Sequence, residues 1–223
     1  MTQPVVLEQR HHFLLRLAHW AQAAAILVMI GSGWRIYNQE PIFPFRFPVE
    51  LTLGGEIRGT LVYNNDPGVA NAIAWHFAGM WLLLGAFTLY LAYGVISGHF
   101  RRDLLPVGPK SFFHDFIAAA TFKLPHTLGV YNYVQRAFYW GVMGAITMML
   151  VSGLAIWKPV QFGWLTALMG GFQGARIVHF LFMTAIVGFI AVHLALVALV
   201  PSTLRSMILG RATAEAHAPE AAP

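Results

Sequence analysis

Ten histidines occur in this 223-residue chain, and four of them, His19, His76, His179 and His193, fall inside segments long and apolar enough to cross a membrane. An ionisable side chain in hydrocarbon is costly and is kept where it performs a function. His179 and His193 lie fourteen residues apart on one such segment. A helix turns about 100° and rises about 1.5 Å per residue, so this spacing puts both on nearly one face, about 21 Å apart along the axis. One metal ion cannot bridge that distance. The spacing suits two stacked sites, one near each side of a bilayer.

The elements that must position these residues are set by hydropathy. Hydrophobic residues make up 57% of the chain and charged residues 10%, against roughly a quarter charged in ordinary globular domains. A hydrocarbon core is about 30 Å thick and asks for about 20 apolar residues per helix. Four stretches, 17–34, 68–100, 137–157 and 177–204, carry no Asp, Glu, Lys or Arg and meet or approach that length. The expected architecture is therefore an all-α membrane protein. Four transmembrane helices, at about residues 13–34, 72–97, 136–157 and 176–200, form a bundle within one domain over 13–205. Residues 1–12 read as a polar tail and residues 206–223, ending in Ala, Pro and Glu, as a disordered one.

A loop of about 35 residues, rich in Pro, Gly and aromatics, joins the first two spans, and a loop of that length is usually functional. Residues 101–135 form a basic connection with a weakly amphipathic piece at 111–123. Residues 161–172 form a short apolar stretch expected to lie in the membrane interface. No internal repeat shows on inspection.

The charge balance, 14 Lys and Arg against 9 Asp and Glu, does not point to nucleic acid. The basic residues stand at the ends of apolar segments instead of forming a stripe, and they act as topology signals. With a cytoplasmic N-terminus the inside segments carry Arg10, Arg16, Arg101, Arg102, Lys110, Lys123, Arg136, Arg205 and Arg211. The outside segments carry Arg35, Arg46, Arg58, Lys158 and Arg176. The excess lies inside, so both termini are expected in the cytoplasm.

This topology pairs the histidines by depth: His19 with His193 on the inner side, His76 with His179 on the outer side. A single intramembrane histidine is as readily a hydrogen-bonded core residue. Four that pair by depth point to a shared role. Each pair offers two imidazoles to opposite faces of one haem iron, and iron with both axial positions filled carries electrons instead of binding oxygen. The chain has no cysteine, which excludes thiolate-held iron–sulfur clusters and covalent C-x-x-C-H attachment. The expected cofactors are two haem b, held non-covalently in the four-helix bundle.

Arg16 and Arg176 each stand three residues before a histidine, on the same helical face, where a guanidinium fork suits a haem propionate. His11, His12, His99, His114, His126 and His217 fall at span ends, in loops or in tails. His99 could in principle replace an inner ligand, but it lies about 140° around the helix from His76.

The order of these motifs resembles the bacterial cytochrome b561 and nickel-hydrogenase cytochrome b family, which includes the membrane subunit of formate dehydrogenase. The matching strings are Arg16-Leu-Ala-His19-Trp20, Trp75-His76-Phe77, Tyr131-Asn132-Tyr133-Val134-Gln135-Arg136, and Ala175-Arg176-Ile177-Val178-His179-Phe180 with His193. The resemblance covers roughly residues 10–205. It implies the same ligand pairing, a bacterial inner-membrane location, and a quinone site beside the inner haem at Asn132 and Gln135. The residues alone read Asn132 as an ordinary helix N-cap. The stretches around Ser97–Asp103 and Gly153–Pro159 look closest to members that accompany a periplasmic molybdopterin enzyme of the sulfite-oxidase type. A hydrogenase is the other partner class that the resemblance implies.

The functional expectation is a di-haem cytochrome b subunit carrying electrons across the membrane between a periplasmic redox partner and the quinone pool. One alternative is a stand-alone superoxide:quinone oxidoreductase of the same fold, with an open cationic outer pocket built from Arg35, Arg46, Arg58, Lys158 and Arg176. A second, from another class, is a haem-free metal or proton transporter, against which the absence of intramembrane carboxylates argues.

Overall fold

A computed structural model describes residues 7–9, 12–55, 68–105, 114–115, 117 and 132–213. In chain order the elements are strand β1 (Leu7–Gln9), helices α1 (Phe13–Tyr37), α2 (Val69–Ile96), α3 (Tyr133–Trp157), α4 (Gly163–Leu168), α5 (Gly171–Leu199) and α6 (Pro201–Leu209), and strand β2 (Arg211–Thr213). Helices α1, α2, α3 and α5 are long and apolar enough to span a membrane. At about 1.5 Å per residue each exceeds a hydrocarbon core of about 30 Å.

All four helices begin or end a few residues outside the spans expected from hydropathy, and at α3 a side-chain cap sets the start. The side chain of Asn132 accepts from Gln135 N while Gln135 reaches back to Asn132 N, a reciprocal box that starts α3. Before α5 the chain turns at Gly170, whose φ of 85° only glycine adopts freely.

The bundle consists of two antiparallel hairpins. Helix α1 packs along α2, and α3 packs along α5. Helices α1 and α3 therefore begin at the end where α5 finishes, the terminal end, and run to the far end. Close approach within the first hairpin depends on Gly79, where a Cβ would meet Met29 Cγ at 2.7 Å and Ala25 O at 3.3 Å. A belt of buried side chains from all four helices, including Ala25, Met29, Leu83, Phe87, Ile146, Met149 and Ile186, joins the hairpins at mid-depth. Large apolar side chains such as Leu27, Ile96 and Leu199 remain exposed. In lipid such surface needs no cover.

At the far end the described part of the long loop folds back on α1. Asn38 donates to Phe47 O at 2.8 Å and accepts from Phe47 N at 2.9 Å. Tyr37 brackets Phe43 in the same two-way manner. Leu53 N donates to Gly31 O at 2.9 Å. Residues 56–67 lie outside the described residues. So do 111–113, 116 and 118–123 of the expected amphipathic piece, in which His114, Asp115 and Ile117 are helical. In the short apolar stretch, α4 holds Leu165 and Thr166 inward, with Thr166 bonded to Ala155 O, and leaves Trp164 and Leu168 exposed.

The C-terminal expectation needs correction. Residues 206–209 complete α6, and residues 211–213 pair antiparallel with residues 7–9. Pro201 opens α6, a position where its missing N–H costs nothing. Trp20 Nε1 and Arg16 reach the carbonyls of Met207 and Ile208 near its end, which would otherwise lack partners. These bonds join residues far apart in sequence, so tail composition did not reveal them. Residues 214–223 lie outside the described residues.

Gly79→Leu is expected to lower stability by roughly 1–3 kcal/mol through overpacking, seen as a lower thermal unfolding midpoint in detergent. Gly85→Leu on the same helix, where a Cβ meets open space, should leave the midpoint unchanged.

Candidate functional site

Each hairpin brings histidines to matching depths. His19 sits about two turns into α1 and His193 about two turns before the end of α5, both near the terminal end. His76 and His179 sit about two turns into α2 and α5, both near the far end. The His19 and His193 rings face each other with centroids 6.2 Å apart and planes at 55°. His76 and His179 stand 6.3 Å apart at 60°. The pairs expected from depth are the pairs that meet.

That spacing has chemical content. Rings in plain contact also reach such separations, as Phe43 and Phe45 do at 6.3 Å, so the distance is read together with the donor set. A metal–imidazole bond is about 2 Å and the ring centre lies about 1.1 Å behind its nitrogen, so two imidazoles on opposite sides of one metal have centroids about 6.3 Å apart. Both pairs fit bis-imidazole ligation of a single iron. The donor set, two neutral nitrogens with no third ligand, leaves the remaining positions to a macrocycle. Among the described residues no group of three His, Cys, Asp or Glu could hold a bare ion.

Around the far-end pair lies a cavity of about 370 Å³ between the hairpins, lined mostly by apolar side chains, with Arg176 the one charged residue among the described residues that line it. The cavity is built twice over. In α1, Met29, Ser32 and Gly33 form a Met-x-x-Ser-Gly string, and Met149, Ser152 and Gly153 repeat it in α3. In α2, His76, Phe77 and Met80 form His-Phe-x-x-Met, which His179, Phe180 and Met183 repeat in α5. All four methionines line the cavity. Ser32 Oγ lies 3.1 Å from His76 Nδ1, and Ser152 Oγ lies 3.0 Å from His179 Nδ1. A Cβ on Gly33 or Gly153 would stand 3.3 Å from Cε1 of the neighbouring ring. The expectation of no internal repeat is therefore corrected. The repeat is short, and its two strings are separated by loops of different length, which hides it from inspection. Ser32, Ser152 and Gly153 are site residues that the sequence reading missed, and the recurring Met-x-x-Ser-Gly string was the signal for them.

Arg176 lines the far-end cavity, pairs with Glu40 and is held by Gln173 Oε1 at 2.8 Å. Arg16 stands one turn from His19 with its guanidinium on the carbonyls at the end of α6. Asn132 and Gln135 form the capping box of α3, which engages the carbonyl oxygen of each amide. His193 stacks on Phe189 at 5.7 Å. His99 leans on Phe100 and does not join either pair. Tyr131, His11, His126 and His217 lie outside the described residues.

The described cations of the alternative outer pocket are each held by a different partner. Arg35 is buried under the loop and donates to Thr52 Oγ1 at 3.2 Å. Arg46 donates to Asn38 O, Lys158 lies over the Trp157 ring, and Arg58 is outside the described residues.

Comparison with known proteins gives the family. The family of prokaryotic cytochrome b561 matches residues 10–210. The chain is 42% identical over 197 residues, 88% of its length and 93% of the other, to a protein of Azospira oryzae provisionally named protein-methionine-sulfoxide reductase subunit YedZ1. It is 24% identical over 206 residues to a protein of Bradyrhizobium diazoefficiens, covering 81% of this chain and 73% of the other. It is 26% identical over 202 residues to one of Azotobacter chroococcum, covering 82% and 77%. Both of these are provisionally named Ni/Fe-hydrogenase B-type cytochrome subunits. The chain thus belongs to the prokaryotic cytochrome b561 family and is an integral membrane electron-transfer subunit of the haem b type.

Proposed function

We propose that the chain binds two haem b, one between His19 and His193 and one between His76 and His179, and connects the quinone pool to a reductase outside the cytoplasmic membrane. The single observation that carries this reading is the pair of ring separations, 6.2 and 6.3 Å, at opposite ends of one bundle. Bound haem supplies reversible one-electron carriage. The chain's own residues do the rest. His19 with His193, and His76 with His179, would each hold one iron and leave oxygen no open position on it. The mid-depth belt of apolar side chains excludes water between the two ends. Arg176 at the far-end cavity supplies a cation for a propionate there, and Arg16 keeps donors for one at the terminal end.

The excess of Lys and Arg at the terminal end supports an orientation with both termini in the cytoplasm of a bacterium. The quinone contact falls at the start of α3. The capping box uses the amide oxygens of Asn132 and Gln135, and their NH2 groups are the donors a quinone carbonyl needs. Of the two partner classes, hydrogenase is represented by relatives at 24% and 26% identity, and protein-methionine-sulfoxide reductase by one at 42%. We therefore take the partner to be a reductase subunit of the latter type, with the molybdopterin chemistry implied by the sequence resemblance, and the flow to run from quinol to partner.

Two outcomes are expected. His193→Ala should remove one haem and leave the other, and His76→Ala should remove the other one, as read from the reduced-minus-oxidised α-band of the purified chain. Retention of both haems in either variant would refute the ligand assignment. Asn132→Asp keeps the capping acceptor and loses the NH2 donor. It should hold the thermal midpoint and raise KM for a quinol substrate about tenfold, the value of one hydrogen bond of about 1.4 kcal/mol. An unchanged KM would leave Asn132 a cap only.

A further inference from the structure

We infer that Ser32 and Ser152 are positioning residues that fix the tautomer of His76 and His179 and strengthen both as iron ligands, which lowers the reduction potential of the far-end site. The inference rests on the two-haem reading above.

Its basis is the direction of each hydrogen bond. A serine hydroxyl has one proton to give. Ser32 Oγ lies 2.7 Å from Val28 O and 3.3 Å from Met29 O. Ser152 Oγ lies 2.6 Å from Met148 O and 3.3 Å from Met149 O. Carbonyl oxygens only accept, so each hydroxyl proton is committed to its own helix. The contacts at 3.1 and 3.0 Å to the imidazoles are then read with Nδ1–H donating to Oγ, beside the backbones of Met29 and Met149, which also hydrogen-bond these rings. A neutral imidazole carries one N–H, so Nε2 is left with the lone pair that binds metal. The hydroxyl is itself polarised by the carbonyl it donates to, which makes Oγ a better acceptor. An outer partner that draws on the Nδ1 proton raises the basicity of the ligating nitrogen. A more basic imidazole favours oxidised iron, and here both axial ligands are treated alike.

The ordinary explanation of a serine inside a spanning helix is back-bonding to the preceding turn alone. Three observations go beyond it. Ser32 and Ser152 are the only serines within the four spanning helices. Both are fully buried, and each meets a histidine of the same pair. Both occupy the same place in the repeated Met-x-x-Ser-Gly string, followed by a glycine whose missing side chain lets the ring lie against the helix. Two independent hairpins have thus built one contact twice.

The test is a spectroelectrochemical titration of the full-length, haem-loaded chain in detergent. The wild type is compared with Ser32→Ala, Ser152→Ala, the double variant, and the two Thr variants, with His76→Ala identifying the far-end component. Each Ala variant should raise the midpoint of that component by the equivalent of about tenfold in the oxidised-to-reduced ratio, ~59 mV for one electron. The double variant should raise it further, the other component should stay in place, and the Thr variants should titrate as wild type. Loss of far-end haem in the Ala variants with retention in the Thr variants would also support the inference. Midpoints unshifted or lowered in the Ala variants would overturn it and leave the two-haem reading intact. Loss of haem in the Thr variants as well would overturn it, because volume and not the hydroxyl would then be what the site needs. Unchanged haem content in His76→Ala would show that the ligand assignment itself is at fault.

Discussion

Two imidazole rings held 6.3 Å apart constrain everything around them. Helices in a bundle ordinarily close to 8–10 Å between axes and fill the space between them. Here the close approach is confined to the inside of each hairpin, where Gly79 lets α1 lie against α2. Between the hairpins a cavity stays open at the far end. The belt at mid-depth closes it below, and the loop carrying Phe43, Phe45 and Phe47 stacks over Tyr37 and Phe180 beside it. The bundle is shaped to keep a slot open as much as to pack a core.

The two ends solve this problem differently. The far-end histidines occupy equivalent places in the two hairpins. The terminal-end pair does not. The register that takes Ser32 to Ser152 takes His19 to Tyr139, and the register that takes His76 to His179 takes Tyr90 to His193. One diagonal of the terminal end thus carries histidines and the other carries tyrosines. On the tyrosine side Phe100 packs against Tyr90 and Trp140, and Trp140 donates to the carbonyl of the fully buried Leu104. That side is filled by the chain itself, so the repeat yields one site per end. Haem at the two ends, about 21 Å apart along α5, would join opposite faces of a membrane.

Much of this was legible in the sequence because hydrocarbon is a severe solvent. Uncharged stretches gave the spans, and the fourteen-residue interval between His179 and His193, with the topology, gave two depths and hence which histidines meet. The helix ends were less legible, since the capping box at Asn132 and the turn at Gly170 lie outside the apolar stretches. The anchoring of α6 on Arg16 and Trp20 was invisible, because it joins residues nearly the whole chain apart. Ser32 and Ser152 went unread for another reason. A serine in a spanning helix has an ordinary local role, and the string that repeats around each one does not by itself say that a histidine of another helix lies beside it.

The most direct test of the account is the ratio of haem to polypeptide in the purified wild-type chain, by pyridine haemochrome against quantitative amino-acid analysis. The two opposed histidine pairs predict two b-type haems per chain. One haem per chain would contradict the assignment of one of the pairs. None would mean that four histidines meet in pairs inside the membrane for a purpose other than electron transfer.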